Sequence, residues 1–154
     1  MEFMGDDYPR LLADREVAVV RDDRLERTRL RGWLDGYDGP MPTYRIELVT
    51  RAGAYTCPYT STGPDMFETL VRLRRQLEAD GLMVAVQGSR RDTYPSGMVR
   101  DMGGGMRVYV IRPGRPARLE DLVETLDDAP PGQMATVSEQ RAFFEAWLAE
   151  RGMR

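Results

Sequence analysis

The chain has 154 residues, 42% hydrophobic and 31% charged, with a net charge of −3. That profile fits one ordinary globular domain able to bury a core, rather than a disordered chain or a strongly basic nucleic-acid binder. All 22 cationic side chains are arginine, histidine is absent and Cys57 is the single cysteine. Schiff-base lysine chemistry, imidazole catalysis, an intramolecular disulfide and a cysteine-rich zinc site are therefore excluded, and neither metal nor other cofactor is expected.

Residues 1–15 carry Gly5, Asp6, Asp7 and Pro9 and read as a weakly ordered N-terminal arm of a single domain spanning 1–154. The opening MEFMGDDYPR lacks a basic-then-apolar leader, and no apolar run approaches a membrane span, so a cytoplasmic protein is expected. The β-branched run Val17–Arg21 predicts a strand, and Asp22 and Asp23 a turn. Residues 27–34 alternate, with Arg27, Arg29, Arg31 and Trp33 on one face and Thr28, Leu30, Gly32 and Leu34 on the other. Turn residues fill 35–42, and 43–50 alternates again with Tyr44, Ile46 and Leu48 inward. Ala52 and Gly53 predict a turn, and 54–59 a strand that Pro58 assigns to an edge or an end.

The period then changes. Pro64 is expected at the first helical position, and Met66, Leu70, Leu73 and Leu77 form an apolar stripe flanked by Phe67 and Val71, with Gly81 as the stop. Arg72 and Arg75 fall off that stripe. The continuously apolar run 82–87 reads as a central strand, with 106–112 as its antiparallel partner. Residues 119–126 fit a short helix or an edge strand, the helix being favoured. Thr136 and Glu139 match a capping box, and the helix behind it is expected to place Phe143, Phe144, Ala146, Trp147 and Leu148 on the body. The order predicts an α+β fold: a mainly antiparallel sheet, one long central helix, and a C-terminal helix packed on one face.

The connection GSRRDTYPSGMVRDMGGGMR, residues 88–107, is long for a small domain and is the first candidate site. Arg90, Arg91, Arg100 and Arg107 supply forked donors, Asp92 and Asp101 orient them or act as acids, and Tyr94, Ser96 and Met98 add contact chemistry. Met98, Met102 and Met106 interleave with Arg as on adaptable protein-binding surfaces. Gly103, Gly104 and Gly105 offer an anion-binding nest, though without the strand-to-helix placement of a dinucleotide fingerprint. The same residues also fit a closed Ω-loop held by Arg–Asp pairs. A second candidate surface is Arg27, Arg29, Arg31 and Trp33, roughly 7 Å apart along a strand face, with cross-strand pairing to Glu47 or nearby acids as the alternative. Cys57, lacking a histidine neighbour, reads as a structural thiol. Residues 88–118 carry seven Arg and two Asp, and 119–154 three Arg and eight acids; these blocks either neutralise each other or face a charged partner.

The segments FETLVRLRRQLEADGLMVAVQGSRRDTYPSGM and VRDMGGGMRVYVIRPG resemble small uncharacterised proteins of actinobacteria, some of which look like immunity proteins encoded beside polymorphic toxins. The resemblance covers roughly residues 42–150 and carries no site residue. It implies a non-enzymatic, immunity-type inhibitor whose protein partner is a toxin domain, and the Arg, Met and Tyr content of the 88–107 loop makes that loop the expected binding surface. Two alternatives stand beside it. One is an enzyme or binding protein for a phosphorylated or nucleotide ligand, clamped by Arg90, Arg91 and Arg100 with Asp92 or Asp101 as base. The other is a nucleic-acid module using Arg27, Arg29 and Arg31.

Overall fold

The structure, a computed structural model, describes residues 7–52 and 55–152. Four long strands run up and down: β1 Arg10–Arg21, β2 Arg24–Asp38, β3 Met41–Ala52 and β4 Tyr55–Gly63. Helix α1 Met66–Ala79 follows, then β5 Leu82–Ala85, β6 Thr93–Tyr94, α2 Gly97–Gly103, β7 Arg107–Val110, β8 Leu122–Glu124 and α3 Val137–Glu150. One antiparallel sheet has the order β4-β3-β2-β1-β5, and a smaller one β6-β7-β8. The fold is α+β. No helix of the described residues is long and apolar enough to cross a membrane.

Alternation makes the large sheet two-faced. Leu30, Ile46 and Leu48 are buried, whereas Arg27, Arg29 and Arg31 stand on the opposite side. Helix α1 lies between the sheets. Its Met66, Leu70, Leu73 and Leu77 complete the main core with Val17, Val19, Leu30, Ile46 and Leu48. Phe67 and Val71 meet Val108, Tyr94, Val123 and Val137 behind it. Each fully buried side chain among them contributes roughly 1.5–3 kcal/mol of apolar burial. Gly63 is needed where β4 meets α1, since a Cβ there would lie 2.8 Å from the Thr69 hydroxyl.

Several expectations change. From Arg10 onward the expected weak arm is the first half of β1, because its backbone pairs with β2 from Arg10↔Leu34 to Arg21↔Arg24; residues 1–6 lie outside the described residues. The expected turn at Gly53 and the side chain of Cys57 also lie outside them. Pro64 precedes the helix instead of starting it: the Asp65 carboxylate accepts from Glu68 N at 2.8 Å and takes the cap position. The strand at 82–85 is an edge strand paired to β1, and β7 belongs to the other sheet, so the two do not pair. Residues 119–126 form a 3-10 turn at Leu119–Asp121 and then strand β8. On α3, Trp147 is buried and Phe143, Phe144 and Leu148 are half-buried, but Ala146 is exposed. The capping box is present, with Glu139 N donating to Thr136 Oγ1 at 3.1 Å and Thr136 N donating to Glu139 at 2.9 Å.

Both margins of the large sheet are covered. On β4, the carbonyls of Thr60 and Thr62 accept from Gln76 (2.8 Å) and Arg72 (2.9 Å) of α1. Beyond β5, Val86 bridges Asp128, and Ala129 N donates to Ala85 O at 3.1 Å. Such contacts reduce the template that each margin offers a stray strand.

Candidate functional site

The 88–107 connection is built rather than loose. Residues Gln87–Ser89 form a 3-10 turn, Thr93–Tyr94 pair with β7, and Ser96 caps α2, its hydroxyl accepting from Val99 N at 3.1 Å. The three arginines proposed as a clamp go to different partners. Arg90 forks onto Asp92 (2.9 and 2.8 Å), gives its third nitrogen to Gln87 (2.9 Å), and leaves 15% of its side chain exposed. Arg91 is exposed and lies 5.3 Å above the Phe143 ring. Arg100 lies 4.9 Å from the Phe67 ring and 5.7 Å from the Tyr94 ring, with a nitrogen 4.0 Å from Asp65. Tyr94 itself stacks on Phe144 at 3.9 Å and 11° and meets Phe67 edge-on at 5.1 Å.

The glycines serve packing. Gly104 and Gly105 have φ of +64° and +66°; a Cβ on the first would lie 2.2 Å from the Tyr44 hydroxyl, and on the second 2.7 Å from Asp65 Oδ1. The Gly104 carbonyl accepts from Met66 N at 2.7 Å, so the end of α2 is fastened to the start of α1. The place expected for an anion nest is thus filled by Asp65 and the first turn of α1. Burial raises the Asp65 carboxyl above its ordinary value despite donors from Glu68 and Phe67 and the nearby Arg100. Burial also raises the Tyr44 phenol, with Tyr37 and Asp65 adding to it.

The arginine stripe on β2 is laced with acids. Arg29 donates to Asp14, Arg31 lies 3.5 Å from the same carboxylate, and Arg27 lies 3.8 Å from Asp128. The hydrogen bond from Arg29 holds the Asp14 carboxyl below its ordinary value. Trp33 is covered by Arg45 at 4.0 Å, and Arg45 is itself forked onto Asp35 (3.0 and 2.9 Å) and bonded to Glu47 at 2.6 Å. The opposite charge blocks of the C-terminal half likewise meet each other, Arg107 with Glu124 (3.1 Å) and Arg112 with Asp121 (3.0 Å).

What remains outward is different chemistry. Met102, Leu119 and Met98 are 83%, 79% and 70% exposed, the three most exposed large apolar side chains of the described residues. They flank two adjoining clefts that share Arg107 and Leu122. One, about 450 Å³, is lined by Met98, Val99, Met102, Gly103, Met106, Arg107 and Leu122. The other, about 500 Å³, adds Leu119, Gln87, Glu124, Asp127 and Asp128. Asp101 is exposed on α2 at helical spacing from Met98. Of the residues singled out in sequence, the fold therefore brings Met98, Asp101 and Arg107 to one outward surface. Arg90 and Asp92 are turned onto each other, and Tyr94 is set among aromatic rings.

Sequence reasoning passed over Leu119 and Leu122, whose segment fits a short helix or an edge strand, and Arg74 and Gln140 of the interior. Among the described residues, no His, Cys, Asp or Glu groups gather as metal ligands. A comparison of the chain with models of known protein families and with curated proteins finds no match.

Proposed function

We propose that this chain is a non-enzymatic protein-interaction module of the immunity-inhibitor type, which binds its partner through the Met98–Met102–Leu119 surface. The observation that carries it is the gathering of the three most exposed large apolar side chains around one pair of clefts. Contiguous exposed apolar surface with a polar rim marks a recognition site, and flexible methionine suits an adaptable one. Arg107 and Asp101 form the rim. Arg90, Asp92, Tyr94, Ser96 and Arg100 hold the display rigid, and Arg91 extends it toward α3. The anion-clamp reading has less support because Arg90 and Arg100 already hold internal partners; the nucleic-acid reading has less because Asp14 offsets Arg29 and Arg31.

The test is co-expression with the products of the genes flanking its own, followed by purification through a tag on this chain. The expected result is one flanking product that co-purifies stoichiometrically and, expressed alone, arrests growth that this chain restores. The variant Met98→Glu/Met102→Glu should lose both effects while remaining folded. Retention of the partner by that variant would refute the surface, and no binding by any flanking product would refute the inhibitor role.

A further inference from the structure

Met98, Met102 and Met106 recur at every fourth position and line one cleft of about 450 Å³. Two features of the fold bring them there. Met98 and Met102 lie one turn apart on α2, which sets their Cβ atoms about 5–6 Å from each other. The chain then reverses. Gly104 and Gly105 both take positive φ, Gly105 N donates to Val99 O at 3.1 Å, and Met106 N donates to Gly103 O at 3.2 Å. That reversal returns Met106 to the cleft that α2 borders. No other methionine of the described residues lines it: Met66 is sealed in the core, and Met41 is exposed at the start of β3.

The side-chain donors of this cleft are sulfur alone. Val99 and Leu122 add hydrocarbon, and the Val99 and Gly103 carbonyls already accept from Gly105 and Met106. Arg107 has no lone pair to offer a metal, and its charge is offset by Glu124 at 3.1 Å. Imidazole, thiolate and carboxylate groups hold zinc or harder ions. A thioether is neutral and polarizable and selects a soft ion such as Cu(I). Uncharged ligands also suit a single positive charge, since each further charge taken from water adds to the cost. The composition that rules out a cysteine-rich zinc site leaves this one open.

We infer that Met98, Met102 and Met106 form a three-thioether site for a soft monovalent cation of the Cu(I) class. Met106, half-buried and packed against the main core, supplies the fixed ligand. Met98 and Met102, 70% and 83% exposed, have three rotatable bonds each and close over the ion from the solvent side. The site goes beyond the interaction-module reading and does not need it.

The probes are Ag(I), a redox-inert ion of the same charge and softness, and Cu(I) itself under anaerobic conditions. The Cys57 thiol also takes either ion, so the chain is titrated as Cys57→Ser. Calorimetry should show one equivalent bound. The affinity should fall about tenfold or more on Met98→Leu/Met102→Leu, which keeps the apolar volume and hence the fold. Met41→Leu should bind as its parent does. In protein labelled at the methionine methyl groups, Ag(I) should shift the Met98, Met102 and Met106 signals together and leave Met66 unmoved. Equimolar Zn(II) should shift none of them. If Cys57→Ser does not fold, wild-type protein gives the same reading, its thiol taking one equivalent and the methionines the next. Any of the three methyl signals left in place by Ag(I), equal binding by the Met98→Leu/Met102→Leu variant, or the same shifts with Zn(II) would each overturn the site. None of these results bears on the partner surface, which co-purification with Met98→Glu/Met102→Glu judges separately.

Discussion

Arg74 of α1 and Gln140 of α3, 66 residues apart, share a buried hydrogen bond of 2.5 Å. The Gln140 amide nitrogen lies within 2.8–2.9 Å of the Gly88, Arg90 and Thr93 carbonyls, and Arg74 also donates to Ala135 O at 2.7 Å. One buried polar pair thus ties the central helix, the start of the 88–107 segment and the C-terminal helix. Burial lowers the Arg74 pKa to about 10, with Glu78 opposing the shift, so the guanidinium stays protonated at neutral pH. Arg74→Leu leaves several buried acceptors without a donor and should cost about 2–4 kcal/mol in urea denaturation. Gln140→Leu should cost a similar amount. Because each change already removes the shared bond, the double variant should fall short of the sum by about 1–2 kcal/mol.

The glycine run gives a graded prediction. Gly103 lies within α2, and a Cβ there would meet Val99 only at 3.9 Å, so Gly103→Ala should raise stability by about 0.5 kcal/mol or leave it unchanged. Gly104→Ala must bear a left-handed backbone and a clash with Tyr44 and should cost about 2–4 kcal/mol. Adding Tyr44→Phe should recover part of that loss, and thermal melts of the four proteins would show the order.

A pH dependence follows from Asp65. Its carboxyl titrates above the ordinary value because burial disfavours the charge. Folding therefore favours the protonated form. The stability this contributes is whole below the unfolded pKa of about 4 and is lost as pH rises through the folded value. Asp65→Asn keeps the capping oxygen without the charge. Relative to wild type it should gain stability as pH rises from about 4 toward neutrality, with the difference closing in acid. Urea midpoints across that range test this; a constant offset would refute it.

Rigid support and contact surface should separate on mutation. Arg90→Ala loses the fork to Asp92 and the bond to Gln87 and should lower stability by about 1–2 kcal/mol. Met98→Ser/Met102→Ser alters exposed side chains and should change stability by less than about 0.5 kcal/mol. Under the proposed function it should nevertheless weaken partner binding, so parallel melts and binding titrations would read the two roles apart.

Helix α1 was legible because Met66, Leu70, Leu73 and Leu77 recur at helical spacing and Asp65 precedes them. The alternation of β2 and β3 was equally plain, since burial on one face needs period two. The partners of β5 and β7 were not. Each has four residues, and nothing within so short an apolar run states which strand it will meet; the choice falls to non-local packing. Arg74 sits next to Leu73 on the stripe, so its position pointed inward, but its acceptors lie on Ala135 and Gln140, far along the chain. In the 88–107 segment the residue types suggested both binding and self-bracing. The fork of Arg90 on Asp92, two residues on, and the packing of Gly104 and Gly105 agree with the second for that part. The exposure of Met98 and Met102 depended on the short helix α2, for which three glycines and a proline gave little sign.

The side-chain stoppers that Arg72 and Gln76 place on the outer carbonyls of β4 bear on life at high abundance. Any protein at high concentration is crowded against its own copies. With the Thr60 and Thr62 carbonyls of β4 already engaged from within, that margin offers a stray strand fewer acceptors to pair with.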